Sequence, residues 1–303
     1  MREYSDFEKR MYLKIQLPLL RFIGLRIFSW VPDKLYFKIR YLVKMRCRLD
    51  LKNPIKFNAK LQWIKLYDRR PECSNMADKY EARKIIAEKI GEEYLVPLIG
   101  VYNSFSDIDF DTLPDQFVIK CTHDTSSIVI CYDKQTFDIQ KLEKRMNKRL
   151  KTDYYKKSRE WPYENIKPRL IIEPLLDDGA EFNIVNYKIY CFSGEPKMIR
   201  LYWNGKRHLL DPQWKPMSGA LNIPGEFLSS IKKPAKLDKM LEIASVLSEG
   251  FPFIRIDLYY VHGKIYCGEM TFFPASGYDI FLDEERAKEV GSWIKLPPKK
   301  SNN

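Results

Sequence analysis

Three lysines and two acidic residues stand at positions where they could bind a phosphorylated ligand. Lys120 lies inside the apolar run FVIKC, Lys188 lies inside NYKIYCF, and Lys79 stands at the start of a helical pattern. Asp257 and Glu269 belong to the runs FIRIDLYY and KIYCGEM, which the turn VHGK joins. Pairing about that turn places the two acids at the same height, where both can face one side. Because carboxylate oxygens bind Mg²⁺ and ammonium groups bind phosphate oxygens, this set predicts a site for a polyphosphate carrying magnesium.

Each of these features also has a simpler interpretation. A lysine in a strand commonly lies at a sheet edge, or extends its ammonium group to water while its stem packs on apolar neighbours. Two acids on a hairpin commonly form a solvated face. The occurrence of all five residues in order along one chain favours the phosphate interpretation.

The elements that must position these groups begin with helices. Residues 1–50 predict two amphipathic helices with a break near WVPDK. Leu61–Tyr67 predicts a short helix. Ala77–Ile90 predicts a longer one with Asp78 as its N-cap and its end at Gly91.

Strands dominate the rest of the chain. FVIKC and SIVICYD predict a strand pair around the polar turn THDTSS (residues 122–127), and a charged surface helix is predicted over 136–160. RLIIEPLL, NYKIYCFSGEPKMIRLYW and FPFIRIDLYYVHGKIYCGEMTFFP predict strands or hairpins with turns at 193–195 and 262–264. One helix is predicted over 236–250. Because helices and mainly antiparallel strands segregate, the predicted fold class is α+β.

Positive charge is concentrated at the start of the chain. Residues 1–60 hold 15 Lys/Arg against 5 Asp/Glu, so +10 of the net +12 lies there. Basic and aromatic residues with apolar residues between them suit an anionic membrane surface or an acidic partner. A solvated helix packed on the core by its other face is the simpler alternative. Nucleic-acid binding is not predicted, because the excess is local and no recognition motif accompanies it.

Composition excludes several other classes of protein. No apolar run has the length of a membrane span, and LPLLRFIGLRIFSWV is interrupted by Arg21 and Arg26 and lacks a small-residue cleavage site. The six cysteines contain no CxxC pair and the three histidines lack metal-ligand spacing, which favours free thiols in a reducing cytoplasm over a zinc site. The predicted location is the cytoplasm, with contact at the inner face of the cytoplasmic membrane.

Five blocks in order resemble the TupA-like branch of the ATP-grasp superfamily: ADKYEARKIIAEKIGEEYLVP, FVIKC, RLIIEPLL, YKIYCFSGEPKMI and FPFIRIDLYYVHGKIYCGEMTFFPASG. The resemblance covers about residues 50–296. It implies an α+β ATP-grasp fold whose two subdomains hold ATP between them. The implied division is a basic helical segment over 1–50, a first subdomain within 51–172, a second over 173–296, and a disordered tail over 297–303.

The resemblance also assigns the residues of a nucleotide site. It implies that ATP is bound by Lys79, Lys120, His123, Thr125, Ser126, Ser127, Glu173, Leu176, Glu181 and Lys188. It implies that Asp257 and Glu269 hold Mg²⁺. It gives catalytic roles to Lys188 and to Arg255, which would steady a phosphate or an acyl phosphate. For His123, an exposed loop position without a ligand is an equal alternative.

The reaction implied by the resemblance is ligation. A carboxylate attacks the γ-phosphate of ATP, and an amine then attacks the acyl phosphate to form an amide. TupA-like proteins are associated with teichuronopeptides and capsules, so the implied partners are a glycan or sugar nucleotide with a uronic acid, and an amino acid or other amine. The alternatives are an ATP-dependent glycan kinase or phosphoryl transferase, and a catalytically weakened binding module.

The weakened-module alternative arises from the polar turn. Relatives tend to carry NHGSGG there, whereas THDTSS has no glycine to let backbone N–H groups approach a phosphate. Asp124 would place a negative charge near the phosphates unless a cation intervenes. Thr125, Ser126 and Ser127 could donate hydroxyl hydrogen bonds in place of the backbone.

Overall fold

The chain folds into two antiparallel sheets that pack against helices. The computed structural model describes residues 30–176, 184–203, 206–217, 231–279 and 284–299. Its α-helices are α1 (Asp33–Met45), α2 (Phe57–Tyr67), α3 (Glu72–Ala77), α4 (Ala82–Ile90), α5 (Ile139–Leu150), α6 (Tyr154–Ser158), α7 (Leu237–Ser248) and α8 (Glu284–Ser292). Its strands are β1 (Gly100–Tyr102), β2 (Phe117–Cys121), β3 (Val129–Cys131), β4 (Leu170–Pro174), β5 (Asn186–Phe192), β6 (Glu195–Trp203), β7 (Lys206–Leu210), β8 (Ile254–Val261) and β9 (Lys264–Thr271).

The first sheet has the strand order β1-β4-β2-β3 and the second has the order β7-β6-β5-β8-β9. All neighbouring strands are antiparallel, which confirms the predicted α+β class. Both predicted hairpin turns are present, since Ser193–Gly194 joins β5 to β6 and His262–Gly263 joins β8 to β9. All four turn residues have positive φ, the backbone form that matches the twist of a two-residue hairpin. β4 remains in the first sheet through Pro174, a little beyond the predicted subdomain boundary at 172/173.

Alternation along β2 determines what each face of the first sheet can do. Phe117, Ile119 and Cys121 point to one face and pack with Leu142 and Met146 of α5 in one apolar core. Because side chains alternate along a strand, the residues between them point to the opposite face. That opposite face carries the lysine at position 120.

The second sheet surrounds the larger core. Ile189 of β5 and Ile256 of β8 are fully buried and pack in the same apolar cluster as Met240 and Leu247 of α7. The predicted helix over 236–250 is therefore confirmed as α7. Its buried residues recur at helical spacing, so one stripe of the helix covers the sheet.

The helix predicted over Ala77–Ile90 is wrong in its first turn. α3 ends at Ala77 and α4 begins only at Ala82, so Asp78 and Lys79 lie in a loop between two helices. The Asp78 carboxylate accepts the backbone N–H of Tyr80 at 2.8 Å. Such local side-chain bonds compete with helix formation. The predicted helix end at Gly91 is confirmed, with Gly91 at φ 115°.

The other helix predictions need smaller corrections. The helix predicted over Leu61–Tyr67 begins earlier, at Phe57. The charged helix predicted over 136–160 is two helices, because Asp153 accepts the N–H of Lys156 at 2.9 Å and caps a separate α6. Helix α8 was not predicted. Its Gly291 packs so closely that a Cβ there would lie 2.2 Å from the carbonyl oxygen of Ile55.

The ends of the chain are described only in part. Of the two helices predicted over 1–50, the second is present as α1, and the first lies outside the described residues. In the predicted tail, the ammonium group of Lys299 lies 4.5 Å from the centre of the Tyr67 ring. Residues 300–303 lie outside the described residues, and the disorder of the tail stays a prediction. Across the described ranges, none of the helices has the length and apolar content needed to cross a membrane.

Candidate functional site

A small cleft lies where the first sheet meets the second. Strand β4 contributes Glu173 and strand β9 contributes Glu269, while the loop and helix after α3 contribute Lys79 and Arg83. The floor includes Met76, Ala77, Ala82, Ile86, Leu95, Cys267, Gly268 and Met270. Three residues predicted for the nucleotide site, from three separate blocks of sequence, therefore line one space.

Lys120 lies beside this cleft and is paired with Glu173. Its ammonium nitrogen is 2.7 Å from Glu173 Oε2, and the side chains are only 11% and 8% exposed. Arg83 lies 3.9 Å from the other carboxylate oxygen. β2 is an interior strand between β4 and β3. The two simpler interpretations of Lys120, a lysine at a sheet edge and a lysine that extends its ammonium group to water, are therefore wrong. Its ammonium group is buried on one face of the sheet and paired with Glu173.

An apolar strip lies next to this pair on the same face of the sheet. Ile130 of β3 pairs directly with Val118 of β2, which in turn pairs with Glu173, and residues opposite one another in a sheet share a face. Ile128, Ile130 and Tyr132 are 45%, 36% and 46% exposed. Sequence reasoning missed this strip, although its period-two pattern in SIVICYD could have shown it. An exposed apolar surface beside an ammonium group suits a flat heterocycle attached to phosphates.

The polar turn is held by charges that sequence reasoning did not find. Arg149, in the last turn of α5, lies 3.3 Å from Asp124 Oδ2 and donates to the carbonyl oxygen of Ser126 at 2.9 Å. The Lys79 ammonium group donates to the carbonyl oxygen of Asp124. Arg149 is thus the cation that the buried Asp124 requires. Its position at a helix end 25 residues away in sequence gave no local signal.

The missing glycine of the polar turn is replaced by Ser126, which has φ 65°. A non-glycine residue rarely occupies this left-handed region, which concentrates at functional sites. Ser127 accepts the N–H of Cys121 at 2.9 Å and so closes the turn. Thr125 donates its hydroxyl hydrogen to Tyr154 at 2.8 Å. His123 is only 4% exposed, which excludes the exposed-loop alternative for that residue.

The environment of His123 differs from that of the cleft. Its Nε2 lies 3.2 Å from the carbonyl oxygen of Arg149. Burial lowers the pKa of this imidazole below its ordinary value. A nucleotide contact from His123 stays a prediction.

A row of charged residues crosses three strands of the second sheet. Lys188 of β5 pairs with Asp257 of β8, and Asp257 pairs with Glu269 of β9. Lys188 Nζ lies 2.7 Å from Asp257 Oδ2, and Arg255 Nε lies 2.5 Å from Oδ1. Arg255 also donates to the Thr271 hydroxyl oxygen at 3.0 Å. The structure thus brings together both residues predicted to be catalytic and both predicted metal ligands.

The solvated-face interpretation of the two acids is wrong for Asp257, which is 1% exposed. Burial alone would raise the pKa of its carboxyl group, but the charges of Arg255 and Lys188 outweigh burial and hold that pKa below the ordinary value. The carboxylate is therefore ionised at neutral pH. Glu269 is half-buried and faces the cleft.

The donor set at this row fits a magnesium ion bound together with phosphates. Asp257 and Glu269 are cross-strand neighbours, and Mg²⁺ in nucleotide sites is held by one or two carboxylates plus phosphate oxygens and water. Among the described residues there is no cluster of three or more His, Cys, Asp or Glu that would form an all-protein cage. Both oxygens of Asp257 already accept from cationic groups, so a metal would share or replace those contacts.

Comparison with known families decides the identity of the fold. A family model described as TupA-like ATPgrasp matches residues 59–295. The chain belongs to the TupA-like ATP-grasp family. This result confirms the resemblance and the predicted ATP-grasp architecture. A search of curated proteins found no match.

Solved structures similar to this TupA-like chain include ligases. D-alanine–D-alanine ligase from Bacillus anthracis complexed with ATP is 14% identical with a TM-score of 0.40, covering 72% of this chain and 63% of that one. The Helicobacter pylori D-alanine–D-alanine ligase is 14% identical with a TM-score of 0.41, covering 81% and 70%. D-cycloserine synthetase DcsG is 14% identical with a TM-score of 0.39, covering 74% and 71%. The chain thus spans about 63% of the length of the first of these ligases.

Two of the predicted nucleotide contacts lie at the limit of the described structure. Leu176 is half-buried at the end of the segment that follows β4. Glu181 lies outside the described residues. Contacts of both residues with ATP stay predictions for this TupA-like protein.

Proposed function

We propose that this TupA-like protein is an ATP-dependent ligase that joins an amine to a carboxylate through an acyl phosphate. The observation that carries the proposal is the row of Lys188, Asp257 and Glu269 across three strands, with Arg255 on the central acid. Glu269 lines the same cleft as Lys79. The site therefore offers cations and carboxyl groups for a metal–polyphosphate complex, with no need of a covalent protein nucleophile.

The proposed reaction has two displacement steps. An oxygen of the substrate carboxylate attacks the γ-phosphorus of ATP, the bond from that phosphorus to the bridging oxygen breaks, and ADP leaves with the electron pair. The amine nitrogen then attacks the acyl carbon, the bond from that carbon to the phosphate oxygen breaks, and phosphate leaves as the nitrogen loses a proton. Both steps depend on positioning and on neutralising charge as it develops.

The described side chains divide these tasks. Lys79 and Lys120 would neutralise phosphate oxygens, and the apolar strip of β3 would hold the base. Asp257 and Glu269 would hold Mg²⁺, which when bound polarises the phosphates. Arg255, which donates to Asp257 and Thr271, would steady the transferred phosphate.

The proposed substrates follow from the family rather than from the cleft. TupA-like proteins are associated with teichuronopeptides and capsules, so we propose a uronic acid of a bacterial surface glycan as the carboxylate. An amino acid or other amine would supply the nitrogen. The proposed place of action is the cytoplasmic side of the membrane, where such glycans are assembled.

A substrate screen tests this function. Purified protein with Mg·ATP is offered uronic acids, with and without amino acids and amines, and ADP, phosphate and product mass are measured. We expect ADP release that requires both substrates and a product with the mass of an amide. ADP release without any amine, with a product heavier by a phosphate, would identify a kinase instead.

Replacing Lys120 by alanine is expected to remove most of the stabilisation by Mg·ATP. A ligand at 100 times its Kd stabilises a protein by about 2.7 kcal/mol. Loss of the Lys120 ammonium group removes a phosphate contact and leaves Glu173 as a repulsive charge near the phosphates. The measurement is the shift in Tm on adding Mg·ATP to each protein.

The matched control for that experiment is Lys264→Ala, which removes an exposed lysine at the start of β9. Its nucleotide-dependent Tm shift should equal that of the wild type. An undiminished shift in Lys120→Ala would contradict the assignment of Lys120 to the phosphates.

We also propose that helix α1 rests on an anionic membrane surface. Trp30, Leu35 and Leu42 are 79%, 50% and 51% exposed, although they are large and apolar. Lys34 and Lys38 are exposed on the same outer side of the helix, while its opposite face packs in the core. Apolar side chains bordered by lysines are the arrangement that binds a helix in the plane of a charged bilayer.

Charge reversal at Lys34 and Lys38 is expected to weaken binding to vesicles that contain phosphatidylserine. Each basic residue near an anionic surface contributes about 1 kcal/mol, so reversing two should reduce binding by more than about tenfold. Co-sedimentation with such vesicles measures it, and high salt should weaken wild-type binding through screening. Equal sedimentation of both proteins would end the membrane proposal.

A further inference from the structure

A chain of hydrogen bonds connects the polar turn with the loop that follows β9, here named the post-β9 loop (residues 274–279). Thr125 donates its hydroxyl hydrogen to Tyr154 at 2.8 Å, and Tyr154 donates to Glu160 Oε1 at 3.2 Å. Ser276 of the post-β9 loop donates its hydroxyl hydrogen to the same oxygen. Glu160 is 2% exposed, so one buried carboxylate receives hydrogen bonds from both sides.

A buried lysine completes this arrangement on the loop side. Lys65 of α2 is 0% exposed, and its ammonium group donates to the carbonyl oxygen of Ser276 at 2.7 Å. Burial lowers the pKa of the Lys65 ammonium group to about 7 and raises the pKa of the Glu160 carboxyl group. The ammonium group also lies within 5.0–5.7 Å of the ring centres of Phe37, Phe273 and Tyr278.

The post-β9 loop has a backbone that needs such support. Ala275 and Ser276 have φ values of 50° and 57°, two consecutive non-glycine residues in the left-handed region. Asn58, Gln62 and Lys65 stand at i, i+4 and i+7 on α2, and all three donate to backbone carbonyl oxygens of this loop. Backbone forms that the surroundings over-determine in this way occur mainly at functional sites.

Stability alone does not account for the buried charges. Apolar residues of similar size can replace a buried ion pair without loss, and often with a gain, in stability. Glu160 accepts hydrogen bonds from the hydroxyl groups of both Tyr154 and Ser276. An apolar residue could not accept either bond.

We propose that Glu160 is a positioning residue that couples the polar turn to the post-β9 loop, so that nucleotide binding at the turn orders the loop. This inference rests on the proposed function, because it requires ATP phosphates at the turn. The post-β9 loop follows Thr271, which contacts Arg255. The coupling would therefore link the polar turn to the end of β9 that contacts Arg255.

Hydrogen exchange with and without Mg·AMP-PNP, read by mass spectrometry on the full chain, tests the coupling. In the wild type, the nucleotide should slow exchange in the polar turn and, by about tenfold, in the post-β9 loop, within the usual range of coupling between sites. Tyr154→Phe removes one hydroxyl group and breaks the chain of bonds. It should keep the slowing at the turn and lose it at the loop.

Two further variants make the result decisive. Tyr155→Phe changes the neighbouring tyrosine, which packs on the larger core, and should behave as wild type. Thr125→Val breaks the first hydrogen bond of the chain with a side chain of the same shape, and should also lose slowing at the loop. It serves in place of Tyr154→Phe if that variant does not fold.

The outcomes distinguish a failure of the proposed coupling from a failure of the proposed nucleotide binding. Slowing at the post-β9 loop that persists in Tyr154→Phe and Thr125→Val would overturn the role of Glu160. Slowing at the polar turn alone in the wild type would also overturn it, and would leave the nucleotide site standing. An absence of slowing anywhere in the wild type would overturn both proposals.

Discussion

Replacing Asp257 by asparagine is expected to reduce ATP-dependent turnover by about 10³-fold. The buried carboxylate lies at the centre of the row that would hold Mg²⁺, and neutralisation of phosphate charge by a metal contributes several kcal/mol to the transition state. At 1.36 kcal/mol for each factor of ten, such a loss amounts to about three orders of magnitude. The measurement is kcat for ADP release with the substrates found in the screen.

Asp257→Asn also leaves Arg255 and Lys188 without their shared partner. The Tm of the variant must therefore be measured, and its turnover compared with that of the wild type at a temperature below that Tm. Glu269→Gln gives a second test at a half-buried position, where the fold depends less on the charge. Asp238→Asn, at an exposed position in the first turn of α7, is the control and should retain full activity. Wild-type turnover in both Asp257→Asn and Glu269→Gln would refute the metal assignment.

Replacing Asp279 by asparagine is expected to destabilise the protein by about 3–5 kcal/mol, the usual cost of breaking a buried ion pair by removing one partner. Asp279 is 3% exposed and accepts from Arg200 and from the Tyr190 hydroxyl group, the latter at 3.0 Å. Asparagine would leave the buried Arg200 guanidinium, which lies over the Tyr190 ring, without a balancing charge. Urea denaturation followed by fluorescence measures the free energy of unfolding.

The surface pair of Lys84 and Glu88 provides the comparison for Asp279→Asn. Both side chains are well exposed, at 78% and 63%, and their charged atoms are 3.9 Å apart. Because exposed pairs contribute little, Glu88→Gln should leave the urea midpoint almost unchanged. Similar midpoints for Asp279→Asn and Glu88→Gln would show that the Arg200–Asp279 pair does not support the fold.

The β8–β9 hairpin could be predicted from the sequence because its determinants are local. The HG turn sets the register of the two strands, and the register brings Asp257 and Glu269 opposite each other. The relative positions of residues on the two strands of a short hairpin do not depend on any other part of the chain. The predicted row of acids depended only on this pairing.

Other parts of the site depend on contacts that no local pattern shows. Lys188 reaches Asp257 only because β5 inserts between β6 and β8, and the order of strands in a sheet is a long-range property. The break before α4 depends on Asp78, whose carboxylate also accepts from Arg169 at 2.8 Å, 91 residues later. The hydrophobic periodicity predicted one continuous helix there, because periodicity depends only on residues that are close in sequence.

The conformation of the glycine-free turn also depends on a residue that is distant in sequence. Glycine is the usual residue where a positive φ is required, but Ser126 adopts that conformation here, held by the guanidinium group of Arg149. The sequence shows the missing glycine and does not show the distant arginine. The alternative of a catalytically weakened module was based on the missing glycine alone, and it stays an alternative.

Lys120 of the first sheet and Lys188 of the second each have an internal counter-ion before any ligand arrives. Lys120 is neutralised by Glu173, and Lys188 by Asp257. In the proposed function, entry of a polyphosphate with its metal would be an exchange of partners at the second sheet, in which the phosphates take the Lys188 ammonium group and the metal takes the Asp257 carboxylate. Such an exchange conserves charge only when metal and polyphosphate enter together. In that proposal, free phosphate or free magnesium alone would leave one set of internal charges unpaired, so the internal pairing would favour binding of the complete complex.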